Sequence, residues 1–284
     1  MLILVVKYTV MTSVMLLMLG VGLRITFGQV LDVLRQFRPV LRGVTANFLI
    51  VPVLTYLALL WLPISPDVKI GIFLMAAAPI APMAPSPFVD MAKGDLPYSV
   101  GLMTIVALLS VVLTPLLLIL ALPESEGGVA LDPLQIVQTL LTVQLIPIAI
   151  GMAICSASRT WTERLLRFVP KVGQIGLLVG VGVIFVLQAK QILSIGPLAY
   201  LVMAVLVIVW LVVGDRMAIG DAPDRRRALA ISTAIRNIPL AFLIANASFS
   251  GTAVAPVTLV VTAFTMVASV IYAKRAIRTE AVPG

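Results

Sequence analysis

Long apolar stretches recur along the whole chain and are separated by short polar segments. A helix that crosses a bilayer needs about 20 mostly apolar residues. Nine stretches of this kind lie at roughly 3–22, 42–62, 69–90, 96–122, 134–155, 170–190, 196–216, 227–248 and 252–273. The pattern therefore predicts an all-α integral membrane protein with nine transmembrane helices.

The composition agrees with this pattern. Apolar residues make up 61% of the 284 residues, charged residues 11%, and the mean hydropathy is +1.15. These values are far from those of a soluble globular domain, and no segment between the spans has room for one. We therefore expect residues 1–284 to form a single transmembrane domain, with the lipid bilayer as its solvent and the first span retained as an anchor.

Basic residues indicate how the chain is oriented. The net charge is +8, and basic residues concentrate in segments 24–42, 93, 159–171, 216–227 and 274–278, which fall on one side if nine spans are right. The other side carries few basic residues and an acidic loop: Lys7, Lys69, Lys190, Glu124, Glu126 and Asp132. The positive-inside rule then predicts an outside N-terminus and a cytoplasmic C-terminus. The expected location is a bacterial inner membrane. Because the basic residues flank spans, no nucleic-acid partner is expected.

Several kinds of chemistry are excluded by residue types that the chain lacks. There is no histidine, and Cys155 is the only cysteine. Intramolecular disulfides, Cys/His metal clusters and histidine-based triads are therefore impossible. No pair of acids and no nucleophile with a base occurs at membrane depth, so an enzyme is disfavoured. We expect no metal and no cofactor.

The third span is rich in proline. Its segment APIAPMAPSPFVD contains Pro79, Pro82, Pro85 and Pro87, and four prolines in one continuous helix would remove several backbone hydrogen bonds. A break near mid-membrane is predicted, of the kind that binds substrates and ions in transporters. The alternative is a kinked helix with only a packing role.

The eighth span, ALAISTAIRNIPLAFLIA, contains Arg236 and Asn237, followed by Pro239, which predicts a second break. Arg236 lies too deep to reach the membrane surface easily. Burying an arginine costs about 2.5 kcal/mol or more on insertion scales, so it should face a cavity, an anion or a carboxylate. The alternative is a structural salt bridge to Asp90.

Three further polar residues are weaker candidates. Asn47 and Gln144 each precede a proline within a span and are either helix-packing residues or part of a transport pathway. Asp215 lies near a cytoplasmic helix end and is expected to be solvated.

A short internal repeat relates the two halves of the chain. Residues 16–23 read LLMLGVGL and residues 177–184 read LLVGVGVI. The copies lie in the first and sixth spans, an odd number of five crossings apart, so they would lie in opposite orientations, as in inverted-repeat transporters. Alternatively, the glycines serve only close helix packing.

From about Met15 to the last span, the order of motifs resembles the bile acid:sodium symporter superfamily. The matching segments are LLMLGVGLRIT, an amide followed five residues later by a proline (Asn47 and Pro52), and AKGDLPYSV at 92–100. The family's acid-x-x-x-amide-Asn pattern falls on Ser232, Arg236 and Asn237, where only the asparagine is retained.

This resemblance implies a fold and a function. The fold has a panel domain, here spans 3–22 and 134–190, and a core domain, here spans 42–122 and 196–273, in which two broken helices cross. The nine-span form of that fold is expected. The implied function is secondary transport of a small organic anion by alternating access, with sodium bound by oxygens of the crossing helices and their neighbours.

Several sodium-binding positions of the family are altered here. The acid is Ser232, the amide is Arg236, a threonine is Met103, and a Ser-Asn pair is Pro85 and Ser86. We predict that the Arg236 guanidinium takes the place of a sodium ion, so that transport is independent of sodium. H⁺ is then the substitute coupling ion, with Asp90, if buried, as its carrier. The predicted substrate- or ion-binding residues are Asn47, Ser86, Asp90, Ser99, Ser232, Thr233, Arg236 and Asn237.

Other functions remain as alternatives. One is a sodium-dependent symporter of the same family with a modified site, so that Na⁺ is the coupling ion. Another is a channel or a membrane sensor, although a sensor normally has a soluble output domain. Arsenite exporters of the same architecture use a cysteine in the first broken helix, and Cys155 in the fifth span disfavours that function.

Overall fold

Helices make up most of the part of the chain whose structure is described. The computed structural model describes residues 2–26, 28, 37–80, 84–122, 133–249 and 251–280. Within these ranges the only pairing of extended backbone is one antiparallel bridge between Ile80 and Arg236. Pro82 and the predicted acidic loop with Glu124, Glu126 and Asp132 lie outside the described residues.

The described residues form twelve helices, if π-helical turns are counted with the helices that contain them. They are α1 Leu2–Gly22, α2 Phe37–Leu60, α3 Pro66–Ala77, α4 Ser86–Met91, α5 Leu96–Ala121, α6 Leu134–Ala157, α7 Arg159–Leu187, α8 Ala189–Leu193, α9 Pro197–Met217, α10 Pro223–Ala234, α11 Ile238–Ser248 and α12 Val254–Glu280.

Seven of the described helices are long and apolar enough to cross a membrane: α1, α2, α5, α6, α7, α9 and α12. The two other apolar stretches, 69–90 and 227–248, are each divided between two shorter helices, α3 with α4 and α10 with α11. The predicted class, an all-α membrane protein with several crossings, is confirmed. By length and composition, the described residues contain seven helices that could cross a membrane, whereas nine transmembrane helices were predicted.

Each divided stretch has a short extended segment between its two helices. After α3 the backbone becomes extended at Ala78, with φ −80° and ψ 109°, and after α10 the same occurs at Ile235, with φ −84° and ψ 102°. Pro87 lies in the first turn of α4 and Pro239 in the first turn of α11, where a missing N–H costs no intrahelical hydrogen bond. Both interruptions thus precede prolines that fit the start of a helix.

The two extended segments contact each other. The Asn237 N–H donates to the Pro79 carbonyl over 2.7 Å, beside the bridge that joins Ile80 to Arg236. Backbone polar groups in a bilayer need protein partners because lipid supplies none. Each break therefore supplies hydrogen-bond partners to backbone groups of the other.

Glycines bring α1 close to α6 and α7. A Cβ atom on Gly151 of α6 would lie 2.4 Å from the Leu19 carbonyl oxygen, and one on Gly180 of α7 would lie 2.6 Å from Val10 Cγ2. Gly22 has a similarly close contact, with the Ile148 carbonyl oxygen at 2.2 Å. Gly22 and Gly180 belong to the two copies of the sequence repeat, so close helix packing accounts for glycine at these two positions.

The remaining helices are joined at their ends by polar contacts. Where α9 meets α10, Arg226 pairs with Asp215, and the Tyr272 hydroxyl donates to Asp215 over 2.8 Å. The prediction that Asp215 is merely solvated is wrong, because its side chain is only 16% exposed and has two protein partners.

Contacts also join α2 and α5 to this end. Arg42 of α2 pairs with Asp221 at 2.8 Å, and Arg225 of α10 lies 3.5 Å from Asp95, which caps α5. The start of α3 lies elsewhere: Asp67 accepts a hydrogen bond from the Ala253 N–H, just before α12, over 3.0 Å. The helix ends therefore form two separate polar groups.

Candidate functional site

The Arg236 side chain is completely buried in the break between α10 and α11. Its Nε donates to the Met75 carbonyl over 3.3 Å, and Nη1 donates to Asn47 Oδ1 over 2.5 Å and to the Thr233 carbonyl over 3.4 Å. Nη2 donates to the Asn47 carbonyl over 3.3 Å and to the Ala76 carbonyl. The guanidinium has five N–H donors, and these five contacts match them in number.

Three of the accepting carbonyls are free because the helices break. Met75 would normally accept from the residue four positions later, which is Pro79 and has no N–H. Ala76 lies in the last turn of α3, where carbonyls lack intrahelical partners. The usual donor to Thr233 is the Asn237 N–H, which is bonded to Pro79 instead.

The Asn47 carbonyl is free for a different reason. Residues Ala46–Ile50 form a π-helical turn, in which the Val51 N–H bonds to the Ala46 carbonyl instead of that of Asn47. The next residue is Pro52, which has no N–H to offer. The Asn47 side chain is itself held by hydrogen bonds from Nδ2 to the Gly43 carbonyl, 2.9 Å, and to Thr233 Oγ1, 3.4 Å.

The charge of Arg236 is balanced by dipoles and by an aromatic ring. The guanidinium lies at the C-terminal ends of α3 and α10, which carry the negative ends of the helix dipoles. Its central carbon is 5.5 Å from the centre of the Trp210 ring, a cation–π distance. The Trp210 indole N–H donates to Thr55 over 2.9 Å, and both side chains are fully buried. All of these partners are neutral.

Asp90 takes no part in this arrangement. It lies on α4 with an exposed side chain and forms no ion pair with Arg236, so the predicted alternative of an Arg236–Asp90 salt bridge is wrong. Its exposure also removes the burial on which its predicted role as a proton carrier depended. Ser86, at the start of α4, is half-buried and lies outside the hydrogen-bonded group around Arg236.

A second pair of predicted residues lies on α5 and α10. The hydroxyls of Ser99 and Ser232 are 2.8 Å apart and fully buried. Met103 follows Ser99 by one helical turn and is 2% exposed. The two hydroxyls therefore bond to each other, next to the apolar side chain of Met103.

Asn237 connects the break to α6. Its Oδ1 accepts from the Leu240 N–H and so caps α11, and its Nδ2 donates to Gln144 Oε1 over 3.4 Å. Gln144 Nε2 in turn donates to the Ala107 carbonyl, 2.5 Å, and to Ser110 Oγ, 2.6 Å, on α5. Gln144 lies in a second π-helical turn, Leu141–Leu145, shortly before Pro147.

Sequence reasoning missed two groups of partners. The carbonyls of Met75 and Ala76 were not predicted, although a proline four residues after Met75 signals a carbonyl without its donor. Trp210 and Thr55 were missed because an aromatic and a hydroxyl residue in apolar spans have no pattern that points to a cation. The π-helical turns likewise have no sequence signature beyond the prolines that follow them.

Comparisons with known proteins agree with this architecture. A family profile described as the sodium bile acid symporter family matches residues 11–195. The "uncharacterized sodium-dependent transporter YocS" of Bacillus subtilis is 26% identical over 248 residues, which cover 85% of this chain and 74% of that protein.

A second relative is the "Probable sodium/metabolite cotransporter BASS2, chloroplastic" of Oryza sativa. It is 28% identical over 161 residues, which cover 55% of this chain and 36% of the relative. An uncharacterized protein of Pseudomonas aeruginosa is 33% identical over 111 residues, 37% of this chain and 32% of its own length. The family match spans most of the chain, and seven of the described helices are long and apolar enough to cross a membrane. The chain belongs to the sodium bile acid symporter family.

Proposed function

We propose that this protein moves a small organic anion across the membrane by alternating access without binding sodium, and that Arg236 permanently supplies the positive charge of a coupling cation. The observation that carries the proposal is the set of five neutral oxygens, from α2, α3 and α10, to which the buried guanidinium donates. Neutral carbonyl and amide oxygens are typical ligands of hard cations such as sodium.

The proposed fold has nine crossings, with α3–α4 and α10–α11 each crossing the bilayer once. The contacts at the helix ends support this. Asp67 at the start of α3 bonds to Ala253 after α11, whereas Asp95 after α4 lies beside Arg225 at the start of α10. The two divided stretches would then run antiparallel between the same two membrane surfaces, with the basic end, Arg42 included, in the cytoplasm.

In the same proposal, α1, α6 and α7 form the panel, and the helices around the two breaks form the core. The glycine contacts that join α1 to α6 and α7 support a panel that moves as one unit. The hydrogen bond between the breaks, from the Asn237 N–H to the Pro79 carbonyl, supports a core that also moves as one unit. The two units would carry the inverted repeat.

A sodium ion beside Arg236 would be repelled. Two unit charges 4 Å apart repel by about 4 kcal/mol at an effective dielectric constant of 20, and none of the described residues of this site is a carboxylate that offsets this. The neighbouring pair Ser99 and Ser232 offers only hydroxyl oxygens, beside the apolar side chain of Met103. At this position the chain has Ser232 in place of the carboxylate that the family resemblance implies for a sodium site.

The substrate class follows from the same charge. A buried guanidinium without a carboxylate partner leaves the middle of the core positive, which favours a carboxylate or sulfonate nearby. Since all five N–H donors of Arg236 have protein acceptors, the anion would feel this charge without displacing those contacts. The adjacent Asn237 amide is the proposed polar contact for the anion.

The test is uptake of organic anions into proteoliposomes containing wild type, Arg236→Gln or Arg216→Gln. Arg216 is an exposed arginine of α9 and serves as the control for loss of one positive charge. Wild type should transport equally in sodium and in choline medium, and only Arg236→Gln should become sensitive to sodium. Loss of uptake with a protonophore would identify H⁺ as the coupling ion.

Sodium-coupled symport is the second candidate, because one relative is named a sodium-dependent transporter and another a probable sodium/metabolite cotransporter. Uptake by wild type that requires sodium would establish this function and refute the role proposed for Arg236.

A further inference from the structure

Two adjacent residues of the second break, Arg236 and Asn237, are each held by a carboxamide from another helix. Asn47 of α2 holds Arg236, and Gln144 of α6 holds Asn237. Both carboxamides lie in π-helical turns that precede a proline. Such turns are frequent at functional sites because they shift a side chain out of the regular helical register.

The two contacts differ in strength. Arg236 Nη1 lies 2.5 Å from Asn47 Oδ1, a short charge-assisted hydrogen bond, whereas Asn237 Nδ2 lies 3.4 Å from Gln144 Oε1. Hydrogen bonds between neutral groups weaken beyond about 3.2 Å. The contact to Gln144 is therefore the one that can be exchanged for another acceptor at low cost.

Gln144 is anchored independently of Asn237. Its Nε2 donates to Ser110 Oγ and to the Ala107 carbonyl of α5, and its side chain is 2% exposed. Its Oε1 thus has a defined position at the Asn237 amide. Both residues are buried, so an Asn237 amide that lost this acceptor would need another one.

We infer that Gln144 Oε1 occupies the place of an anionic oxygen of the substrate and holds the empty site closed. This inference rests on the proposed function. A carboxylate or sulfonate oxygen is a stronger acceptor for the Asn237 N–H than a neutral amide oxygen is, so the anion displaces Gln144. Because Gln144 belongs to α6, its release frees that helix from the break. Gln144 is then a residue that sets affinity and coupling between the two units.

The first test needs no substrate. It compares hydrogen–deuterium exchange in purified wild type, Gln144→Met and Gln138→Met. Gln138 lies on the same helix with an exposed side chain, so it controls for the loss of a glutamine. Gln144→Met also removes the two hydrogen bonds to α5, but only its contact with Asn237 reaches segment 235–245. The exchange of amides in that segment should therefore rise about fivefold, the effect of losing this one modest hydrogen bond. Exchange equal to wild type in a folded variant would overturn the inference.

The second test measures binding of potassium cholate, benzoate and butanesulfonate in sodium-free buffer. If Gln144 competes with the anion, Gln144→Met should bind the anion about fivefold more tightly, because the closed state no longer has to be opened. Equal or weaker binding would mean that Gln144 only supports the structure. If wild type binds none of these anions and transports none in the uptake screen, the proposed function fails, while the exchange result still decides whether Gln144 closes the empty site.

Discussion

Replacing Arg236 by alanine should turn the site of its guanidinium into a binding site for a free cation. The substitution removes five N–H donors and leaves the carbonyl oxygens of Asn47, Met75, Ala76 and Thr233, together with Asn47 Oδ1, around the vacated volume. These oxygens should remain in place in the variant, because helix ends, prolines and a π-helical turn determine their positions. The Arg236 side chain is not what positions them.

The size of the effect follows from these oxygens. A buried acceptor without a donor costs about 1–3 kcal/mol, so even two unsatisfied oxygens would destabilise the variant by about 2–6 kcal/mol in sodium-free buffer. A cation at 100 times its Kd restores about 2.7 kcal/mol. At about 2–4 °C for each kcal/mol, sodium should raise the Tm of the variant by about 5–11 °C.

The measurement is thermal unfolding of the detergent-solubilised protein, with sodium titrated against choline at constant ionic strength. Wild type and the control Arg216→Gln should show no shift specific to sodium. Free guanidinium at millimolar concentration should also stabilise Arg236→Ala, since it carries the missing donors. A sodium shift in wild type as large as in the variant, or no shift in the variant with either cation, would refute the reasoning.

Three further substitutions test other contacts by thermal unfolding. Trp210→Leu should cost about 2 kcal/mol more than Trp210→Phe, because only phenylalanine keeps a ring face for the buried guanidinium; equal losses would show that this ring contact adds nothing. Asp215→Asn should lower stability by about 1 kcal/mol through its ion pair with the partly exposed Arg226, and an unchanged Tm would mean that the pair is screened. Gly151→Ala should lower the Tm clearly, since its Cβ would lie 2.4 Å from a carbonyl oxygen of α1, whereas Gly182→Ala, with nothing within 4 Å, should be tolerated; equal effects would contradict the close packing of α1 on α6.

The apolar stretches were sufficient to predict that this is an all-α membrane protein, because the bilayer restricts the structures that such stretches can form. Any stretch of about 20 apolar residues must be helical in lipid, since backbone groups find no other partners there. The order of short motifs, from the segment at 16–23 to AKGDLPYSV, indicated the family. Like an apolar stretch, each motif is a property of contiguous residues and can be recognised without knowing the fold. Proline spacing indicated interruptions of the third and eighth apolar stretches, where the described helices α3 and α10 end.

Contacts between distant residues were beyond the sequence. Asp215 is paired because α10 and α12 bring Arg226 and Tyr272 to it, and neither spacing along the chain predicts this. Asp90 was a plausible partner for Arg236 because it is an acid near a predicted break, but its side chain is exposed on α4.

Sequence alone was enough to predict that a charge, Arg236, stands beside an amide within an apolar stretch, because hydropathy depends only on contiguous residues. The folded chain shows in addition that this charge is held by neutral oxygens of α2, α3 and α10 and by the face of Trp210. No sequence pattern could have shown this, because these acceptors are mostly backbone carbonyls, which every residue has. Which of them are free depends on where helices end and how they pack, and that is a property of the whole fold.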